Sequence, residues 1–408
     1  MPLEERIATI KALAKLSADD VKTLKTGGLD LKTADMMIEN VIGTIQLPLG
    51  VAPYFLIDGK DYVVPMALEE PSVVAAAAHA AKLARTSGGF TSTVTDPVMI
   101  GQIQLLDVPN VKQTIQTIRA HTDDIKKHVN NQDSVLIKCG GGLKGVDVRE
   151  IATSRGPMLI VHLLVDVRDA MGANCVNTMC ESISPYLEEI TKGRALLRII
   201  SNLAVKRMVT VKAVWKKELI GEETVAGILD AAAFAMNDPY RAATHNKGVM
   251  NGVDAVIIAT GNDFRAVEAG AHAYAAINGT YTALTRYEQN KDGDLVGTLC
   301  MPLALGTVGG TTKTHPTVQL ALKILDVHSA AELATIAASV GLANNFAALR
   351  AMVVEGIQKG HMKLHAENIA TTAGAKGDLV KKVAAQMIKE QKITVSYAQE
   401  LLTQKKGK

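Results

Sequence analysis

A chain of 408 residues that is 48% hydrophobic has material for two or three domains, and with only 3% aromatic residues its core must be built from Ala, Val, Ile, Leu and Met. Its 44 basic and 41 acidic side chains leave a net charge of +3, too balanced for a dedicated nucleic-acid binder. The four cysteines, Cys139, Cys175, Cys180 and Cys300, include no CxxC pair, which argues against a disulfide framework or a zinc knuckle and points to a reducing cytoplasm.

The first fifteen residues, MPLEERIATIKALAK, are charged from Glu4 onward and lack the apolar centre of a signal peptide. No uninterrupted apolar run of about 18 residues follows, so no membrane span is expected. The Ala-rich run from Ser72 to Thr86, opened by Pro71 and followed by Gly88-Gly89, predicts a helix with Glu70 at or just before its N-terminus. Turn clusters at Ser87-Gly88-Gly89 and Gly140-Gly141-Gly142 punctuate the next stretch. Met158 to Val167, apolar and β-branched, reads as a buried strand running into Asp169-Ala170-Met171-Gly172-Ala173-Asn174 and then a helix. Such a strand, loop and helix unit aims backbone N–H groups at an anion.

Arg241 to Asp263, RAATHNKGVMNGVDAVIIATGND, sets an Arg, a Lys, amides and the carboxylate of Asp263 around a short apolar run, Ala255 to Ala259, that reads as a buried strand. A cation before a strand and a carboxylate after it can converge to stabilise negative charge on a carbonyl oxygen; the same pair would equally serve as a structural salt bridge. Ala330 to Gln358 reads as a long helical region broken near Gly341, and from Gly360 a Lys-rich amphipathic tail forms a separable unit. His361 and His365 stand four apart, a spacing that could chelate a metal on a helix. Without the Glu of an HExxH site or a further ligand cluster, no metal is expected.

Seven blocks carry a resemblance along almost the whole chain: ENVIGTIQLPLGVA from Glu39, LEEPSVVAAAAHAAKLAR from Leu68, RGPMLIVHLLVDVRDAMGAN ending at Asn174, DPYRAATHNKG from Asp238, ATGNDFRAVEAGAHAYAA from Ala259, GTVGGTTKTHP from Gly306 and EGIQKGHMKLHA from Glu355. Together they resemble 3-hydroxy-3-methylglutaryl-CoA (HMG-CoA) reductase in its soluble prokaryotic class II form. The resemblance implies an α+β fold, with a large mixed α/β domain at about 1–95 and 206–355, an inserted small ferredoxin-like dinucleotide-binding domain at 96–205, and a helical C-terminal flap at 361–408. It implies a four-electron, two-hydride interconversion of HMG-CoA and mevalonate plus CoA through a mevaldyl-CoA hemithioacetal and mevaldehyde, in a homodimer, or a higher oligomer, whose active sites lie between subunits.

Residue by residue, the resemblance makes Lys247 the cation beside the carbonyl oxygen, Glu70 the proton donor, Asp263 the group that organises both, and His361 the proton donor to the CoA sulfur. Glu69 is the rival of Glu70, which is favoured because it directly precedes Pro71. Ser72, Arg241, Asn251 and Asn345 stand for the substrate contacts, with Asn344 adjacent to the last. Asp169, Met171, Gly172, Asn174 and Asn202 stand for the dinucleotide contacts. Asp133 and Val135 match the positions of NADH-using relatives; an acidic side chain bonds a ribose 2′-hydroxyl and repels a 2′-phosphate, so NADH is favoured over NADPH. Two other readings stay open: a thioester-binding protein without catalysis, and the same enzyme working oxidatively in mevalonate catabolism.

Overall fold

The computed structural model describes residues 1–131, 135–354 and 366–406. Two sheets organise it. The larger is six-stranded, in the order β2-β1-β3-β8-β10-β9, from β1 (Leu49–Ile57), β2 (Lys60–Ala67), β3 (Phe90–Val94), β8 (Met208–Trp215), β9 (Thr285–Gln289) and β10 (Leu295–Pro302). Only β1 and β3 pair in parallel, meeting at Ile57 and Phe90. The β1–β2 hairpin turns on Asp58 and Gly59, both with positive φ (47° and 81°), the geometry that matches strand twist. Pro65 lies within β2, which tolerates it as an edge strand.

In β8 the alternation is strict: Val209, Val211, Ala213 and Trp215 are buried, facing a core shared with the helices Val73–Arg85, Pro239–Ala259 and Ala330–Val354. Trp215 stacks on Phe346 with ring centroids 3.9 Å apart, and its indole N–H donates to the carbonyl of Ala80 at 3.1 Å. In so aromatic-poor a chain this pair supplies much of the bulk where strand and helices meet; truncating one such ring typically costs about 3–5 kcal/mol.

Two expectations about helices are corrected. Ala255 to Ala259 is the last part of a single 21-residue helix, Pro239–Ala259, and not a strand. Asp238 caps that helix by accepting from the Arg241 N–H at 2.7 Å, Pro239 starts it, and buried positions at Ala242, His245, Asn246, Val249, Met250, Val253, Val256 and Ile257 follow the helical period. A short continuous apolar run cannot be assigned by itself; the period around it decides. Nor does Gly341 break the central helix Ala330–Val354, which is continuous. A Cβ there would stand 2.6 Å from Val253 Cγ2, so the glycine permits close contact between two helices. Among the described residues this central helix alone is long and apolar enough to cross a membrane, and it is mostly buried in the core.

The smaller sheet, wholly antiparallel, comprises β4 (Val98–Leu106), β5 (Gly142–Thr153), β6 (Gly156–Asp166) and β7 (Arg194–Ser201) in the order β5-β6-β4-β7. With helices between β4 and β5 and the helix Ala173–Thr191 between β6 and β7, this is the β-α-β-β-α-β arrangement of a ferredoxin-like unit, with its own apolar core. Toward the C-terminus, a helix over 366–372 and the helices Asp378–Lys389 and Val395–Lys406 enclose a third small core that includes Ala370, Val383, Met387 and Leu401.

Candidate active site

The helix Pro239–Ala259 brings Lys247 and Asn251 onto one face, one turn apart. Across from them, β2 ends at Ala67 and the chain passes through Glu69 and Glu70 before the Ala-rich helix begins at Val73. Lys247 Nζ donates to Glu70 Oε2 at 2.7 Å, and Asn251 Nδ2 donates to the same oxygen at 3.3 Å. Glu69 is exposed, so of the adjacent acids it is Glu70 that meets the lysine. With the lysine side chain 59% and the glutamate side chain 34% exposed, this pair adds little to stability, about 0–1 kcal/mol. Its value lies in placing a cation and a carboxyl together at an accessible surface.

Ser72 is the N-cap of the Ala-rich helix yet makes no capping bond; it sits at φ 79°, a strained region for a side-chain-bearing residue. Its Oγ is buried without a hydrogen-bond partner. Such an arrangement leaves a polar atom unsatisfied beside Glu70. A cleft of about 670 Å³ opens here, walled by Leu3, Arg6 and Ile7 of the first helix and by Gly50, Glu70 and Ser72.

The lysine helix is held from behind by amides. Asn344 Nδ2 donates to the carbonyl of Gly248 at 2.8 Å, and Asn345 Nδ2 to that of His245 at 3.2 Å. Asn345 is 2% exposed, and its Oδ1 accepts from Tyr287 at 2.8 Å and Thr285 at 3.2 Å; in this conformation its amide is committed to protein partners. Asn246 is equally committed, donating to Tyr281 and Thr282 and accepting from the N–H of Leu284. Asn344 enters the sequence reading only as the neighbour of Asn345, and Asn246 not as a site residue; a polar residue on the buried phase of the lysine helix marks Asn246 once the 255–259 stretch is read as part of that helix. His245, buried beside Thr285, is pushed by desolvation, and secondarily by Arg241, down to about 4.

The other expected site residues are differently engaged. Asp263 does not join the Glu70–Lys247 pair: its carboxylate caps the helix Phe264–Ala275, accepting from the N–H groups of Arg265 (3.0 Å) and Ala266 (3.2 Å), and pairs with the Arg265 guanidinium at 3.1 Å. Arg241 is half-buried near Met352, and desolvation lowers its pKa. Asp169 Oδ1 accepts from the N–H of Ala330, at the start of the central helix, at 2.8 Å. Gly172 has φ 106° with no room for a Cβ, which would stand 2.7 Å from Val167 Cγ1; it opens the helix Ala173–Thr191, whose first turn has no side-chain cap. Met171 is partly buried, while Asn174 and Asn202 are exposed. Val135 opens a short helix and is 78% exposed. Asp133 and His361 lie outside the described residues, as does His365. Among the described residues no cluster of three or more His, Cys, Asp or Glu could hold a metal.

The family model for hydroxymethylglutaryl-coenzyme A reductase matches residues 2–366. A 3-hydroxy-3-methylglutaryl-coenzyme A reductase of Archaeoglobus fulgidus is 55% identical over 98% of this chain and 92% of its own length, and a probable one of Borreliella burgdorferi is 34% identical over 82% and 77%. Among solved structures, the class II enzyme of Streptococcus pneumoniae bound to NADPH in open conformations is similar with a TM-score of 0.84 and 40% identity, over all of both chains. The chain, an oxidoreductase, thus belongs to the 3-hydroxy-3-methylglutaryl-CoA reductase family in its class II form.

Proposed function

We propose that this chain reduces HMG-CoA to mevalonate and CoA, through mevaldyl-CoA hemithioacetal and mevaldehyde, with two equivalents of a reduced nicotinamide coenzyme. The observation that carries the reading is Lys247 held 2.7 Å from Glu70 and beside Asn251, on the residues the family resemblance assigns to carbonyl activation. Each hydride transfer places negative charge on the substrate oxygen. A fixed ammonium at that oxygen lowers the barrier by a few kcal/mol, and an adjacent carboxylic acid that gives up its proton completes the alcohol. Asp263, on exchanging its capping contacts, organises both, and His361 protonates the departing CoA thiolate.

Ser72 supports the substrate assignment, because a buried hydroxyl without a partner is satisfied when a polar ligand arrives. Arg241 offers a planar fork to the hydroxymethylglutaryl carboxylate, with Asn251 and Asn345 as further substrate contacts. The coenzyme, when bound, supplies the hydride. The residues from Asp169 to Asn174 suit it: an uncapped helix start and a glycine with no space for a Cβ present backbone N–H groups to a pyrophosphate. Asn202 and Val135 lie on the same small unit. NADH is favoured by the acidic Asp133; NADPH is the second reading, favoured because the similar pneumococcal enzyme was seen with NADPH.

We further assign residues 1–95 and 206–355 to a substrate-binding domain, 96–205 to the coenzyme domain and 361–408 to a flap that closes over substrate. The active unit is a homodimer. Its support is the segment after the N-terminal helices, where Ile42 and Ile45 are 101% and 95% exposed within the ENVIG block, an apolar surface suited to a second subunit. A cytoplasmic biosynthetic role follows, with oxidation of mevalonate the alternative use.

The test is loss of reduced-nicotinamide absorbance with HMG-CoA, run with NADH and NADPH in parallel and repeated with Lys247→Ala. Substrate-dependent oxidation that falls by about 10³ or more in the variant supports the proposal. A folded protein that binds the thioester and turns over neither coenzyme would leave only a binding function.

A further inference from the structure

Arg207 stands where the chain leaves β7 and enters β8, and it is 4% exposed. Its guanidinium is spent on backbone carbonyls of two loops. Nη1 donates to the carbonyls of Ala170 at 2.9 Å and Met171 at 3.3 Å, while Nη2 donates to those of Leu305 at 2.6 Å and Arg168 at 3.5 Å. Burial draws it down to about 10 against the opposing charges of Asp169 and Asp166, so it remains a cation at neutral pH. Next to Leu305, Gly306 comes so near the first loop that a Cβ would lie 2.7 Å from Met171 N. The N–H of Gly306 donates to Asn262 Oδ1 at 2.8 Å, and Asn262 immediately precedes Asp263. The N–H of Thr307 donates to the carbonyl of Asp169 at 2.9 Å.

We propose that Arg207 is a positioning residue: it clamps the 168–171 loop to the 305–307 turn and, through Gly306 and Asn262, sets where the coenzyme loop lies relative to Asp263. The inference rests on the reading of that loop as the coenzyme site. Hydride transfer requires reacting atoms about 3–3.5 Å apart, and a misplacement near 1 Å can cost a hundredfold. A buried fork that bonds four carbonyls from two loops controls such a distance. Lysine keeps the charge but offers one point donor in place of the fork.

The experiment measures dissociation constants for NADH and NADPH by nicotinamide fluorescence, together with KM and kcat, for wild type, Arg207→Lys, Arg207→Ala and Gly306→Ala. Arg207→Lys is expected to weaken coenzyme binding about 10- to 100-fold while KM for HMG-CoA stays within about twofold. Gly306→Ala, which wedges the same loops apart, should share that signature, and guanidinium in solution should restore part of the coenzyme affinity of Arg207→Ala. If that variant does not fold, the lysine and Gly306 variants carry the test. Wild-type coenzyme affinity in Arg207→Lys would overturn the proposal, as would equal weakening toward coenzyme and HMG-CoA. Wild-type protein that bound neither coenzyme would overturn the functional reading and this inference with it, an outcome separable from either of those.

Discussion

The middle of the lysine helix and the turn that follows it differ in how much of their chemistry is assembled by a single chain. At Lys247 the cation already meets Glu70, to which Asn251 also donates, and the helix beneath is pinned by buried amides from the central helix. At Asp263 the carboxylate caps its own helix and pairs with Arg265. Rigid packing from behind can hold a cation against one carboxylate and still leave the pair accessible to substrate. A carboxylate at a helix start has strong local partners, so its part in turnover requires an exchange of contacts.

The largest expected effect separates capping from chemistry. Asn caps a helix about as well as Asp, so Asp263→Asn should change stability by less than about 0.5 kcal/mol. The pair with exposed Arg265 adds little. If Asp263 acts on Lys247 and Glu70 during turnover, the same variant should lower kcat by roughly 10³, about 4 kcal/mol of transition-state stabilisation. Thermal melting and steady-state kinetics on one preparation give both numbers. Unchanged kcat would reduce Asp263 to a cap.

How far this contrast was legible in the sequence depended on range. The helix start at Pro71 and the strand running into Asp169 are local signals, and the structure has both elements where those signals stand. The 255–259 run reads wrongly as a strand because four or five apolar residues fit either period, and the deciding signals, a cap at Asp238 and buried positions back to Ala242, stand a full helix length away. Gly341 suggests a break because a glycine weakens an isolated helix, whereas here the space of its missing Cβ is filled by Val253. The partners of Asn344, Asn345 and Arg207 come from distant parts of the chain and leave no local mark. That Lys247 faces Glu70 came from family resemblance; spacing offered only a cation and a carboxylate.

A second effect sharpens the contrast from behind the helix. His245 has a pKa of about 4 when folded, against about 6.5 when unfolded. Between these values the unfolded chain binds the extra proton, so the contribution of His245 is full above pH 6.5 and is lost as pH falls toward 4, by on the order of 3 kcal/mol. Denaturant unfolding across that range should show the loss, and His245→Gln should remove that part of the slope. Asp254 on the same helix, whose pKa is raised first by burial and then by Glu268, acts with the opposite sign and is common to both proteins. Parallel curves for the two proteins would show that His245 does not carry the acid sensitivity.

The smallest effects compare the two glycines where the lysine helix crosses the central helix. At Gly252 a Cβ would lie 2.7 Å from the carbonyl oxygen of Val340, backbone that cannot turn aside; at Gly341 the nearest obstacle, at 2.6 Å, is a methyl of Val253. Overpacking costs about 1–3 kcal/mol, and replacing a helical glycine by alanine returns about 1. Gly252→Ala should therefore lose about 2 kcal/mol and Gly341→Ala about 1 or less, read as differences in unfolding midpoint. Because Gly252 adjoins Asn251, its variant should also loosen the Asn251–Glu70 contact and lower kcat, while Gly341→Ala leaves kcat within about twofold. The same rank in stability without any difference in kcat would mean that the packing behind the helix supports the fold but does not set the position of the groups in front.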